Sequence, residues 1–352
     1  MRAGRRIYCR AMSPAPQAGR ETRAAARLAF ARTASHDARA ALEAASEDAS
    51  ARSYWRVHGA SGTAVLMDAP EGSGDLGRWL DVDARLRAAG LHAPEVLARD
   101  RAQGFLLLSD LGTRSYLSEL NDATADSLYS DALGALLAMQ TRIDAVGLPQ
   151  YGETLLTAEL ELLPKWFLQR HLGIAIGCDE WDIVELAFRL LIDNARAQPQ
   201  VFVHRDYHSR NLLVVPGSNP GIVDLQDAVL GPVTYDLVSL LRDCYITWDD
   251  ARVRGWAEAH RQHLIEAGAL DGRIDPTHWR RWFDLMGVQR HLKVLGIFCR
   301  LWYRDGKRRY LADLPRVWQY VRSVASDYPE LHDFLALLER WVGERDLTAP
   351  AA

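Results

Sequence analysis

Asp206, Asn211 and Asp224 are the residues of this chain whose types and spacing could do chemistry. They stand in Val201-Phe-Val-His-Arg-Asp-Tyr-His-Ser-Arg-Asn-Leu-Leu-Val-Val and, after a Pro-Gly-Ser-Asn-Pro-Gly turn, in Gly221-Ile-Val-Asp-Leu-Gln-Asp. The apolar runs on either side predict short strands that frame a polar loop and end on a second carboxylate. An aspartate beside a substrate hydroxyl can orient it and accept its proton. The asparagine and the later aspartate offer hard oxygen ligands to a magnesium ion that bridges nucleotide phosphates. Turn-forming residues alone would not require this order, spacing and strand context together.

The run His204-Arg205-Asp206, with Asn211 and Asp224 behind it, matches the protein-kinase signature, with the glycine of its last motif replaced in Asp224-Leu225-Gln226. Asp236 opens a helix in Gly231-Pro-Val-Thr-Tyr-Asp-Leu-Val. With His204 it is expected behind the loop, its carboxylate accepting hydrogen bonds that fix the loop's shape; a helix cap is compatible with that role. Loss of the catalytic aspartate would distinguish an enzyme from a nucleotide-binding scaffold, and the full set argues for turnover.

Positioning these residues requires two lobes. Ala- and Arg-rich spacing from about residue 21 to 45 predicts a leading helix. Tyr54 to Val57 and Thr63 to Met67 predict a hairpin across a His-Gly-Ala-Ser-Gly turn. A helix over 77–89 and a buried strand over Phe105 to Leu108 complete a first lobe, 21–112, behind a flexible extension, 1–20, in which Met12 is a second candidate start. The remainder, 113–345, reads as mostly helical, with amphipathic stretches at 125–140, 157–171, 181–196, 251–267, 278–302 and 313–325. The expected fold class is α+β and bilobal, with a small antiparallel sheet in the first lobe.

Composition narrows the function classes. The 352 residues are 48% hydrophobic and 25% charged, enough for a real core, and the formal net charge of -4 gives no footprint for nucleic acid. Cys9, Cys178, Cys244 and Cys299 are widely separated, without metal-binding spacing, which suits a reducing cytoplasm. No apolar run approaches the roughly 20 residues of a membrane helix. A small-molecule substrate is expected, with no nucleic acid, membrane or obligate protein partner.

The chain resembles the aminoglycoside phosphotransferase family from about residue 25 onward, and within it the anomeric kinases of N-acetylmuramate and N-acetylglucosamine in bacterial cell-wall recycling. The narrower resemblance is carried by Asp48-Ala-Ser-Ala-Arg-Ser-Tyr-Trp-Arg, Val65-Leu-Met-Asp-Ala-Pro, Gly104-Phe-Leu-Leu-Leu-Ser-Asp-Leu-Gly, Asp224-Leu-Gln-Asp-Ala, and Gly296-Ile-Phe-Cys-Arg-Leu with Arg304-Asp-Gly-Lys. It implies a protein-kinase-like fold, ATP and magnesium as cofactors, Asp206 as base, and Asn211 and Asp224 as metal ligands. It also implies an adenine contact along Phe105 to Gly112, specifically Leu108, Ser109, Asp110 and Leu111. The usual third-strand lysine is missing from Val65-Leu-Met-Asp-Ala-Pro, and Arg52 or Arg56 is the expected replacement on the phosphates. Ser53 stands where those relatives would be expected to have another arginine.

At the acceptor end, Arg300 and Arg304 lie four apart on a basic amphipathic helix and could fork a lactyl carboxylate. His208, Gln226 and Asp227 flank the loop and could hydrogen-bond sugar hydroxyls. An aminoglycoside, a choline-like amine or another metabolite is the alternative acceptor; the basic 290–309 region argues mildly against a polycationic one.

Overall fold

The computed structural model describes residues 17–46 and 52–349. The expected extension lies outside the described residues up to position 16, whereas Gln17 onward opens the first helix. By backbone contacts the chain forms two compact units. One holds the residues up to Leu76 together with Glu95–Asp110; the other holds Gly77–Pro94 and everything from Leu111. Residues 77–94, read from sequence as part of the first lobe, group with the second unit.

The first unit pairs α1 (Gln17–Ala34) with a sheet of β1 (Ala41–Ser46), β2 (Ser53–Gly59), β3 (Gly62–Asp68), β4 (Val96–Asp100) and β5 (Phe105–Ser109), in the order β1-β2-β3-β5-β4. All pairings are antiparallel, and Gly59 faces Gly62 across the hairpin turn. Strand alternation sends Val57, Leu66, Phe105 and Leu107 to one face, where Ala31 of α1 closes the core and Phe30 and Trp55 pack against it. Each large side chain so buried contributes about 1.5–3 kcal/mol. The helix is also tied ionically. Buried Asp68 accepts from Arg23 (2.6 and 3.0 Å) and from Arg27 (3.0 Å), and those guanidiniums lie over Phe105 and Trp55.

The leading helix is shorter than its composition predicts, and residues 41–46 are a strand. Asp37 turns the chain by accepting the N–H groups of Arg39 and Ala60, both at 2.8 Å, with His36 at a φ of 53°. Pairing along β2, Leu42 opposite Val57, then overrides the helical preference of Ala-Leu-Glu-Ala-Ala.

In the second unit, α2 (Leu76–Ala88), α3 (Tyr116–Glu119), α4 (Ala125–Arg142), α5 (Glu153–Leu160) and α6 (Cys178–Arg196) precede the loop sheets. A wide-turned π segment, Leu163–His171, follows α5 where Pro164 interrupts the helical pattern. Two small ribbons carry the polar loop: β6 (Gln200–Val203) pairs with β9 (Val229–Pro232), and β7 (Leu212–Leu213) pairs with β8 (Gly221–Ile222). Then come α7 (Tyr235–Leu241), α8 (Asp250–Glu266), α9 (Pro276–Tyr303), α10 (Leu314–Ala325) and α11 (His332–Val342).

The centre of the unit is α9. Asp275 caps it by accepting the His278 N–H at 2.8 Å, with Pro276 in the first turn where no N–H is needed. Its middle, Phe283 to Leu295, is buried throughout. Gly296 lets it approach the α5 end, for a Cβ there would stand 2.4 Å from the carbonyl carbon of Leu162. The class is α+β, as the sequence predicts.

Candidate active site

The β6 and β9 ribbon delivers the chain to His204, and the β7–β8 hairpin returns it to Asp224, so both chemical segments hang from paired strands. Two non-glycine residues there adopt left-handed backbone: Arg205 (φ 76°) and Asp224 (φ 69°). Such conformations cost of order 1–3 kcal/mol each and persist where surroundings enforce them. The enforcing groups are visible. Asp236, fully buried at the start of α7, accepts the N–H of His204 at 2.6 Å and of Arg205 at 2.9 Å. Burial pushes the Asp236 carboxyl up to about 7 against the lowering effect of those two N–H groups.

Within the loop, His208 N–H bonds the Asp206 carbonyl at 3.1 Å and Asn211 N–H the His208 carbonyl at 2.9 Å. The Asn211 amide N–H₂ donates to the Asp206 carbonyl at 3.0 Å and to Asp224 Oδ2 at 3.4 Å. Gln226 Nε2 holds Asp224 Oδ1 at 2.5 Å. The set fits magnesium: one amide and one carboxylate oxygen suffice for an ion that keeps water and phosphate oxygens as its remaining ligands. Among the described residues no group of three His, Cys, Asp or Glu offers an all-protein cage instead.

Asp206 is half-buried. Burial would raise its carboxyl; the Lys293 ammonium, then His208 and Arg205, outweigh burial and hold it below the ordinary 3.8. It is therefore ionised at neutral pH, as a proton acceptor must be. The His204 ring is fully buried and pushed down to about 4 by that burial, so it is neutral. The Val223 backbone lies against that ring, and among the described residues the buried His208 Nδ1 and Gln226 Oε1 have no hydrogen-bond partner.

Behind the base lies a charged cluster that sequence reading missed. Glu159 of α5, buried, accepts from Arg205 at 2.5 Å, from Tyr151 Oη, and stands 2.9 Å from Lys293 Nζ. Lys293 also donates to Tyr235 Oη at 2.8 Å. The basic residues of α9 are accordingly not a surface stripe: Arg290 and Lys293 are buried, Arg290 donating to Cys244 Sγ at 3.3 Å.

Residues 41–273 match the phosphotransferase enzyme family. The chain belongs to the phosphotransferase enzyme family. Its curated relatives include an N-acetylmuramate/N-acetylglucosamine kinase of Pseudomonas putida, 45% identical over 84% of this chain and 87% of that one. Another of that name from Neisseria meningitidis is 37% identical over 87% of this chain and 92% of its own. Among solved structures, a choline/ethanolamine kinase family protein from Mesorhizobium loti aligns at a TM-score of 0.58 and 16% identity, over 90% and 99% of the two chains. An ADP-bound aminoglycoside phosphotransferase aligns at 0.53 and 14%, over 80% and 92%. At those identities the likeness shows a protein-kinase-like fold. This phosphotransferase is a kinase that phosphorylates a hydroxyl group.

The phosphotransferase's other sequence-predicted residues fall as follows. In the first unit, Arg56 of β2 forms a two-pronged pair with Asp110 (2.7 and 3.1 Å), so two residues expected separately on the nucleotide hold each other. Arg52 is buried, its Nη2 3.0 Å from where a Cβ on Gly74 would be, and Leu108 and Ser109 close β5. Leu111 packs on Gly221 in the second unit. His208 and Gln226 stand on the loop with the orphaned atoms named above, and the Asp227 carbonyl accepts from Arg205 at 3.5 Å. Arg304 is exposed and paired two-fold with Asp305 (2.8 and 2.9 Å), whereas Arg300 is half-buried and its Nε has no hydrogen-bond partner among the described residues.

Proposed function

We propose that this phosphotransferase moves the γ-phosphoryl group of ATP to the anomeric C1 hydroxyl of N-acetylmuramate and N-acetylglucosamine, serving peptidoglycan recycling in the cytoplasm. The observation that carries the reading is the similarity, 45% and 37% over more than four-fifths of the chain, to kinases named for these two sugars. The geometry around Asp206 supports it.

In this reading the C1 hydroxyl lies against Asp206, which takes the proton as the hydroxyl oxygen attacks the γ-phosphorus and ADP leaves with the bridging oxygen. Asn211 and Asp224 would hold magnesium, which when bound would neutralise charge on the phosphates. Asp236 and the Glu159 cluster keep the loop in its left-handed turn. Arg52 and Arg56 serve the nucleotide's phosphates, and the backbone of Leu108 to Leu111 its adenine.

Phosphorus NMR of products from ATP, magnesium and N-acetylmuramate, N-acetylglucosamine or kanamycin in parallel tests this. A sugar-1-phosphate signal, lost in excess chelator, is expected. Phosphate on kanamycin alone would move the acceptor to the antibiotics, and full activity with chelator would remove the metal.

A further inference from the structure

Arg210 lies on the catalytic loop, between His208 and Asn211, and is half-buried. Among the described residues its guanidinium makes no ion pair or hydrogen bond. Its contacts are faces of rings: Tyr245 at 3.6 Å and Tyr310 at 5.8 Å. A guanidinium lying over an aromatic face gains cation–π attraction without using its N–H donors, which can still receive a planar carboxylate.

The charged groups around it are spoken for. Asp313, whose carboxyl feels the Arg210 charge, is bound by Arg316 at 2.9 Å. Asp243 accepts the N–H of Ser209 at 2.9 Å and of Tyr245 at 3.1 Å. That double grip also fixes Tyr245 to the loop that carries the base. The Tyr245 ring meets His208 edge-on at 5.5 Å and leans on buried Phe298 at 6.1 Å, and its hydroxyl makes no hydrogen bond among the described residues.

Resting on the sugar-kinase reading above, we propose that Arg210, held over the Tyr245 ring, receives the carboxylate of an anionic sugar acceptor. The chain then distinguishes a carboxylate-bearing sugar from its neutral counterpart through the catalytic loop itself. Arg304, engaged by Asp305, is not needed for that task.

The test compares kcat/KM for N-acetylmuramate and N-acetylglucosamine in the wild type, Arg210→Met, Arg210→Lys and Arg300→Met, each checked for an unaltered unfolding transition. Arg210→Met is expected to lose about 10- to 100-fold more on the carboxylate sugar than on the neutral one, the scale of a charge-assisted pair, through KM. Arg210→Lys should recover part of the difference. Equal losses on both sugars, or a selective loss in Arg300→Met instead, overturns the assignment. If the wild type phosphorylates neither sugar, the sugar-kinase reading itself falls, an outcome separable from the others because it precedes any variant.

Discussion

Lys293 Nζ lies 2.9 Å from the Glu159 carboxylate, and through that carboxylate it is linked to Arg205, the residue immediately before the base. Three elements distant in sequence thus meet at one buried anion. The consequence is electrostatic as well as mechanical, because the net positive balance of the cluster favours the ionised form of Asp206.

Replacing Asp206 by Asn keeps the loop's shape and removes the proton acceptor. Turnover should fall by about 10²- to 10⁴-fold, with nucleotide affinity retained by calorimetry. Unchanged turnover would take Asp206 out of the base's role.

Lys293→Met removes the largest influence that lowers the Asp206 carboxyl. Since that group is held below 3.8, its ionised form is present above that pH and lost as pH falls through the folded value. The acid limb of the kcat/KM profile should therefore shift upward in the variant. A limb that stays in place would mean the ammonium does not set the base.

Asp236 carries the opposite sign. Its folded value is raised to about 7, so its contribution to stability is complete below 3.8 and lost as pH rises through about 7. Asp236→Asn should be more destabilised relative to wild type at about pH 5 than at about pH 8 in urea unfolding, because the wild type loses the contribution between those values. Turnover should fall as well, because the His204 and Arg205 N–H groups lose one of their two carboxylate oxygens. A gap constant with pH would show that Asp236 stays ionised throughout.

Gly296→Ala should destabilise the fold by about 1–3 kcal/mol or more, as overpacking does, because the new methyl meets the Leu162 backbone rather than a side chain that can swing aside. Denaturant midpoints would measure it. A neutral result would mean that α9 can move away from α5.

How far the sequence revealed this molecule depends on the range of the interaction concerned. Asp206, Asn211 and Asp224 were visible because strands and loop are local, and α9 because its period is regular. Strand β1 was not, since Ala-Leu-Glu-Ala-Ala favours a helix until β2 is there to pair with it. Glu159 gave no signal, being one acid among many until α5 meets α9. Lys293 gave none for the same reason, and Arg210 was hidden inside a motif whose other members drew the chemistry.

The division of the chain has a practical outcome. Residues 77–94 cluster with the second unit although both their neighbours in sequence belong to the first, so the polypeptide passes from one unit to the other three times. Neither unit is a single uninterrupted stretch. No simple truncation can yield either one whole, and a protease cut in any one of the three passages leaves the units joined by the other two. Dissecting this enzyme into separately expressed halves would call for a circular permutation or a redesigned bridge across residues 77–94.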